Sequence, residues 1–222
     1  MASTKVSVVV LISGSGSNLQ AILDASQTNY CPINIKAVIS NRPLAKGLER
    51  AKHANIPAIV IDHNDYNGRD DFDEALIKQI DHYQPELVVL AGFMRILTHD
   101  FVSHYTGRLI NIHPSLLPNF PGLNTHERAV KSGVEQHGAS VHFVTTEVDG
   151  GPIILQASVS VKSNDTAKEL AQRVLHEEHL IYPLAIKWFA EKRLVLDNNK
   201  VLLDHVELPK TGLNYAQVTE NQ

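Results

Sequence analysis

The stretch Val6–Gln20, with the sequence VSVVVLISGSGSNLQ, joins a strand, a glycine-rich turn and the start of a helix without a break. Val6–Ile12 is apolar at nearly every position, which is typical of a central parallel strand buried on both faces. Asn18–Ala25 carries Leu and Ile at helical spacing, with Ser17 or Asn18 as a potential cap, so it predicts a helix. A strand that passes through a tight turn into a helix begins a βαβ unit and favours an α/β fold.

The alternation of strand and helix patterns continues along the chain. It predicts strands over Ile33–Ser40, Ala58–Ile61, Glu86–Ala91 and Leu109–Ile112, and helices over Ala45–Ala54 and Asp70–Tyr83. The second half predicts a proline-rich loop over His113–Gly122, a hairpin-like strand pair over Ala139–Val144 and Ile153–Val161, a helix over Asp165–Phe189 capped by Asn164 or Asp165, and a small strand pair around Asp197–Lys200. We therefore expect one domain over residues 1–222, built on an open, Rossmann-like, mostly parallel twisted sheet with helices on both faces, and a flexible tail after about residue 212.

The composition excludes several classes of protein. With 20 Lys and Arg against 24 Asp and Glu, the net charge is −4, which argues against a general nucleic-acid binder with its basic face. The single cysteine, Cys31, excludes an internal disulfide and fits a reducing compartment. No apolar run approaches the length of a membrane helix, and no signal peptide is recognisable. We therefore expect a cytoplasmic protein with neither a nucleic-acid nor a membrane partner.

The glycine-rich turn Ser13–Asn18 lies between a strand and a helix, where backbone N–H groups at the helix N-terminus attract an anion. It predicts a phosphate site. A dinucleotide fingerprint is disfavoured because Leu19 stands where the third Gly or Ala belongs, and because the second strand ends in Ser40-Asn41-Arg42 without the Asp or Glu that would hold a ribose. The Gly-Lys-Ser/Thr tripeptide of a P-loop does not occur in the sequence. A tight turn without a ligand remains the alternative.

Twelve histidines raise the question of a metal site. His176 and His179 come close to the HExxH motif of zinc proteases, but that motif needs its second histidine at position 180, which is Leu180. Five further histidines lie in polar stretches that are typical of exposed side chains: His53, His63, His82, His99 and His104. We expect no bound metal.

His113 differs from the other histidines because it directly follows a predicted strand, at the sheet edge where open α/β folds bind their ligands. Asn111 lies two positions earlier, so in an extended strand both side chains point to the same face. An amide and an imidazole on one face can stabilise the oxyanion of a tetrahedral intermediate. Asp149, in a constrained turn, is the best placed carboxylate to orient the imidazole. The alternative is that Asn111 caps a turn and His113 is a buried, hydrogen-bonded histidine.

Five motifs occur in a characteristic order along the chain. They are Ile12–Gln20, Leu90–Leu97, Asn111–Pro118, His137–Val144 and Asp149–Ile154. Together they resemble the folate-dependent glycinamide ribonucleotide transformylases of the formyltransferase family. The resemblance implies transfer of a formyl group from 10-formyltetrahydrofolate, a co-substrate, to the amine of glycinamide ribonucleotide in purine synthesis, with no metal. Related formyltransferases that act on methionyl-tRNA, and deformylases that hydrolyse the formyl-folate, carry an extra domain for which this length leaves no room.

The resemblance also implies a role for individual residues. The catalytic set would be Asn111, His113 and Asp149. The ribonucleotide would be bound by Gly16, Ser17, Asn18 and Glu178. The folate would be bound by Arg69, Met94, Arg95, Ile96, Leu97, Asn111, Thr145, Thr146, Glu147, Val148 and Asp149. Two other functions remain as alternatives: hydrolysis of 10-formyltetrahydrofolate, and a phosphate- or nucleotide-binding module without chemistry. The sequence leaves the choice between a monomer and a homodimer open.

Overall fold

The computed structural model describes residues 5–28 and 30–220. The chain divides into two compact units, Met1–Asn111 and Ile112–Gln222. Most of the described chain forms strands and helices that alternate along the sequence, so each unit is built from a sheet and the helices that connect or cover its strands.

The first unit is a parallel sheet. Its strands are β1 (Val6–Ile12), β2 (Ile33–Ser40), β3 (Ala58–Val60), β4 (Leu87–Leu90) and the first residues of β5 (Leu109–His113). They pair in the order β5-β4-β1-β2-β3, all in parallel. The helices of this unit are α1 (Ser17–Gln27), α2 (Gly47–His53), α3 (Arg69–Asp81) and α4 (His99–His104), with a short 3-10 helix at His63–Asp65. The central strand β1 is buried at every position except the half-buried Ser7, as its apolar run predicts.

The carboxyl ends of the neighbouring strands β1 and β4 carry two loops of interest. Strand β1 runs into the glycine-rich turn, and β4 runs into the segment before α4. A backbone hydrogen bond from Ser13 N to Gly92 O, 3.1 Å long, ties the two loops together where they begin. This edge of a parallel sheet is where α/β folds place ligands.

The second unit contains the rest of β5, α5 (Thr125–Ser132), β6 (Gln136–Phe143), β7 (Ile153–Ser160) and the long helix α6 (Ala167–Ala190). Strands β6 and β7 are antiparallel, and β11 (Leu213–Asn214) pairs with β7 in parallel. A separate antiparallel sheet consists of β8 (Leu194–Asp197), β9 (Lys200–Leu203) and β10 (Val206–Glu207). The last helix is α7 (Tyr215–Glu220). The predicted fold class is confirmed, since the strands form a mostly parallel mixed sheet with helices.

The predicted helix caps are wrong in two places. The N-cap residue of α1 is Gly16, not Ser17 or Asn18, and its left-handed backbone (φ 70°) turns the chain into the helix. The N-cap of α6 is Thr166, which forms a capping box with Glu169, and not Asn164 or Asp165. The carboxylate of Asp165 instead forms an ion pair with Arg173, so it does not cap the helix.

Several elements were not predicted. Helices α4 and α5 are short, with six and eight residues, and mainly polar, so their apolar spacing is too brief to stand out. Residues 213–220, where the sequence has no pattern, form β11 and α7. The flexibility of the tail and the single-domain organisation stay predictions, and residues 221–222 of that tail lie outside the described part. No helix in the described part is long and apolar enough to cross a membrane.

Candidate active site

His113 and Asp149 form a close, buried pair in the second unit. His113 is the last residue of β5, and Asp149 lies in the turn between β6 and β7. The distance from His113 Nδ1 to Asp149 Oδ2 is 3.4 Å, and the two side chains are only 7% and 12% exposed. The carboxylate predicted to orient the imidazole therefore lies beside it. Water screens this pair little, because both groups are nearly enclosed.

The local backbone explains how Asp149 reaches this place. Its φ of 53° is left-handed, a conformation that Asp adopts more readily than most residues. Its Oδ2 atom accepts a hydrogen bond of 2.8 Å from Gly122 N. A side chain at Gly151 would collide with the carbonyl oxygen of Phe143, so the turn needs glycine there. The turn and the hydrogen bond together hold the carboxylate towards His113.

The second nitrogen of His113 also faces an oxygen. His113 Nε2 lies 3.0 Å from the carbonyl oxygen of Phe120, and since a carbonyl only accepts, Nε2 carries the proton of this hydrogen bond. The Nδ1 atom faces the Asp149 carboxylate. A ring with a hydrogen on both nitrogens matches both acceptors, so the site suits an imidazolium cation.

His142 is a second imidazole at the same carboxylate, and the sequence assigned it no role. Its Nε2 lies 3.9 Å from Asp149 Oδ1, and its Nδ1 donates to the Phe143 carbonyl over 2.9 Å. Burial lowers the pKa of His142, because the interior disfavours its charged form. At neutral pH His142 is therefore uncharged, so it does not compete with His113 for an ion pair with Asp149.

A further pair of histidines supports the loop after β5. His137 Nε2 and His126 Nδ1 are 3.2 Å apart. Burial lowers the pKa of His137 to about 4 and also lowers that of His126. The His137 ring packs edge-on against Phe120 at 5.8 Å between centroids. Phe120 is the residue whose carbonyl accepts from His113, so these neutral histidines help to place that carbonyl.

Ser140 also holds this loop, and the sequence did not single it out. Its hydroxyl, fully buried in β6, donates to Ser115 O over 2.6 Å and accepts from Leu117 N over 3.0 Å. Gln156 on the neighbouring strand donates to the same hydroxyl and to Leu117 O. A Ser opposite a Gln on paired strands is a weak signal in one sequence, because it becomes meaningful only once the strand register is known.

Asn111 and His113 both lie in β5, two residues apart, as predicted, and β5 extends one residue further than the predicted strand. Alternate residues of a strand share a face. Asn111 is half-buried and His113 is buried. The shared role of these two side chains stays a prediction.

The glycine-rich turn lies in the first unit and has the expected position at the start of α1. Gly16 is its N-cap residue, and Ser17 and Asn18 are the first two residues of the helix. No side chain caps the first turn of α1, so an anion can take that role. Arg50 supports the turn by donating from Nε to Ser15 O over 2.9 Å. The guanidinium adds positive charge beside the predicted phosphate site.

The other predicted ligand-binding residues are divided between the two units. In the first unit, Arg69 begins α3, and Met94, Arg95, Ile96 and Leu97 form the segment between β4 and α4. In the second unit, Thr145, Thr146, Glu147 and Val148 lie between β6 and β7, and Glu178 is buried on α6. Met94 and Ile96 are each 58% exposed, so their side chains are accessible to a ligand.

Within the described residues, no group of three or more His, Cys, Asp or Glu side chains is arranged to hold a metal ion. His176 and His179 lie on α6, one exposed and one half-buried.

Comparison with known proteins places this geometry in context. Residues 6–186 match the formyl transferase family. The chain is 54% identical to the phosphoribosylglycinamide formyltransferase of Escherichia coli over 205 residues, which cover 92% of this chain and 97% of that protein. It is 46% identical to the protein of the same name from Haemophilus influenzae, with the same coverage of both chains. Its fold matches the structure of the phosphoribosylglycinamide formyltransferase of Coxiella burnetii in complex with CHES with a TM-score of 0.92 and 54% identity, covering 95% of this chain and 99% of that one.

Proposed function

The chain belongs to the formyl transferase family, and from that membership we propose that His113, Asp149 and Asn111 transfer a formyl group from 10-formyltetrahydrofolate to the amine of glycinamide ribonucleotide. The protein is a formyltransferase of purine biosynthesis. The observation that supports this assignment of residues is the buried His113–Asp149 pair, 3.4 Å apart, at the end of the strand that also carries Asn111.

Asn111 and His113 stabilise the charge that develops on the formyl oxygen. When the amine nitrogen bonds to the formyl carbon, the carbonyl oxygen becomes an oxyanion, and fixed hydrogen-bond donors lower the free energy of that state. Asn111 supplies an amide N–H. His113 supplies Nε2–H, which donates to the substrate oxygen in place of the Phe120 carbonyl.

Asp149 stabilises the imidazolium of His113 and supports the movement of one proton. The amine loses a proton as its bond to carbon forms, and the folate nitrogen gains one as its bond to the formyl carbon breaks. Asp149 accepts hydrogen bonds from the groups that pass this proton. Neutral His142 borders the same carboxylate without competing for its charge. No metal is needed in this sequence of steps.

The two ligands are assigned to separate groups of residues. Gly16, Ser17 and Asn18 bind the ribonucleotide phosphate through the N-terminus of α1, and Glu178 binds the ribose or glycinamide portion. The folate is bound by Arg69 and the segment Met94–Leu97, and by Thr145–Asp149 in the second unit. Each ligand is a small anion, so the protein needs local donors rather than a basic surface. Both ligands are cytoplasmic metabolites in this proposal, and the choice between monomer and homodimer stays open.

One assay tests the proposed reaction against its alternatives. The protein is incubated with 10-formyltetrahydrofolate, and release of tetrahydrofolate is followed with and without glycinamide ribonucleotide. Release that depends on the amine supports transfer, release without the amine indicates hydrolysis, and no release indicates a binding module.

The role of His113 is tested in the same assay with His113→Ala. Loss of an oxyanion donor lowers turnover by about 10² to 10³-fold. His99→Ala is the control, because the His99 side chain is 77% exposed and should leave turnover unchanged. Turnover of His113→Ala equal to that of the control would show that the assignment is wrong.

A further inference from the structure

The segment Met94–Leu97, assigned above to the folate, is open in its middle and anchored at its ends. Met94 and Ile96 are exposed. Among the residues that the structure describes, the backbone groups of Arg95, Ile96 and Leu97 make no hydrogen bond to protein. Apart from the Arg95 guanidinium, which lies over the Phe72 ring at 5.4 Å from its centroid, the segment is held by what fixes the residues on either side. The anchors of the segment therefore determine how it meets a ligand.

Ser13 anchors the first end. Met94 N donates to Ser13 Oγ over 2.7 Å, and the same hydroxyl donates to Asn41 Oδ1 over 2.5 Å. Both Ser13 and Asn41 are almost completely buried, at 3% and 1% exposure. Asn41 follows β2 directly, so the hydroxyl has one geometry in which it can accept from Met94 while donating to a fixed oxygen. Ser13 thus links the start of the segment to the core of the sheet.

Asp73 anchors the other end. Thr98 N, directly after the segment, donates to Asp73 Oδ2 over 2.6 Å. Asp73 lies on α3 and is 2% exposed. A carboxylate this buried is costly unless its oxygens accept hydrogen bonds. Burial also raises the pKa of Asp73. Asp73 therefore lies in an environment that is unfavourable for a carboxylate, and there it accepts the hydrogen bond from Thr98 N at the end of the segment.

We propose that Ser13 and Asp73 are positioning residues for the formyl donor, which hold Met94–Leu97 at both ends so that the backbone groups between them are preformed to pair with the folate ring. This inference rests on the proposed function, since it takes the ligand of the segment to be the folate. Neither side chain touches the ligand in this account. Each acts through a backbone N–H, and the benefit is that binding does not have to order the segment.

The test measures affinity for each ligand separately in Ser13→Ala and Asp73→Ala. Without an anchor, one or two residues of the segment lose their fixed backbone conformation, and binding must then order them at a cost in conformational entropy. We expect the Kd of 10-formyltetrahydrofolate to rise by about 5- to 30-fold. Asp73 lies on α3 and not in the glycine-rich turn, so Asp73→Ala should leave the Kd of glycinamide ribonucleotide unchanged. Ser13 begins that turn, so Ser13→Ala is judged by the Kd of the folate alone. Isothermal titration calorimetry with each ligand alone measures both constants.

Two conservative variants and one control separate positioning from general damage. Asp73→Asn keeps an acceptor oxygen for Thr98 N, and Ser13→Thr keeps the hydroxyl, so each should restore most of the folate affinity. Ser26→Ala removes a side-chain hydrogen bond to Leu23 O within α1 of the same unit, and it should change neither Kd. Hydrogen exchange at Met94 and Thr98 should be faster in the alanine variants alone.

The outcomes distinguish this inference from the proposed function. If the wild-type protein neither binds the folate nor transfers its formyl group, the proposed function fails and the inference fails with it. If the wild-type protein is active, but both alanine variants bind the folate as it does, only the inference is overturned. In Asp73→Ala, an equal loss of affinity for both ligands would also overturn it, because that is what general loss of structure produces. Should one alanine variant fail to fold, the folate Kd and the hydrogen exchange of the variant at the other end still test the inference.

Discussion

The charge of Asp149 should contribute strongly to turnover, and Asp149→Asn isolates that charge. The amide keeps an oxygen that can accept from Gly122 N, so the turn retains its hydrogen bond while the carboxylate charge is removed. His113 then has no anion beside Nδ1. The substitution changes electrostatics with little change in shape.

The geometry sets the size of the effect. Two unit charges at the observed separation of 3.4 Å attract by about 1 kcal/mol in water and by about 5 kcal/mol at an effective dielectric constant of about 20. Both side chains are nearly buried, at 7% and 12% exposure, which favours the upper part of this range. Since about 1.4 kcal/mol is a tenfold change in rate, we expect kcat to fall by about 10² to 10³-fold.

The measurement is the amine-dependent release of tetrahydrofolate at saturating concentrations of both substrates. Asp100→Asn is a matched control, because the distance from Asp100 Oδ1 to His99 Nδ1 is also 3.4 Å but those side chains are 97% and 77% exposed. Exposed pairs contribute little, so the control should keep full activity. If Asp149→Asn turned over within about threefold of the wild-type rate, its carboxylate would not stabilise the transition state and the reasoning would be refuted.

Three further predictions concern stability and the phosphate site. Burial lowers the pKa of His137 from 6.5 to about 4 in the folded chain. The stability that the neutral ring provides is complete above pH 6.5 and is lost as the pH falls to about 4. Urea unfolding at several pH values should therefore show about 3 kcal/mol less acid destabilisation for His137→Gln than for the wild type. Burial raises the pKa of Asp73 above 3.8, so ionisation destabilises the fold as the pH rises through the raised value; Asp73→Asn should unfold at higher urea concentration at neutral pH, and this gain should vanish below pH 3.8. In Gly16→Ala the new Cβ would lie 2.6 Å from Gly47 Cα, at a residue whose φ is 70°. The substitution should lower the free energy of unfolding by at least about 2 kcal/mol and weaken the binding of glycinamide ribonucleotide. Gly14→Ala is the control, because a Cβ there has open space and should change neither quantity.

Several elements follow from local sequence because one physical requirement dominates each of them. Strands β1 and β2 have the predicted bounds, since β1 is an almost continuous apolar run and β2 alternates buried and exposed side chains before its apolar end. Thr166 shows how a local signal can be overlooked. Its spacing of three residues from Glu169 is that of a capping box, but Asn164 and Asp165 are equally good caps when each is considered alone.

The residues of the active site also divide into those that local sequence predicts and those that depend on packing. The sequence placed Asn111 and His113 on one face, because a strand alternates its side chains and because Asn-x-His directly ends one. It also nominated Asp149 from its turn. The contact between His113 and Asp149 depends on the left-handed backbone at Asp149 and on the hydrogen bond from Gly122 N, which involve residues far apart in the chain. No local pattern contains that information.

The sequence by itself determined most of the strands and the longer helices, the glycine-rich turn at the start of α1 and the residue types available for chemistry, because these depend on periodicity and on neighbours along the chain. Only the tertiary structure decided which of the twelve histidines can form an ion pair with Asp149. His142 lies at the same carboxylate, but burial keeps it neutral, whereas His113 faces an acceptor with each of its nitrogens. The structure also showed Ser13 and Asp73 at the ends of one segment. Burial, distance and hydrogen-bond geometry are properties of packed neighbours, and packing unites residues that the sequence keeps apart.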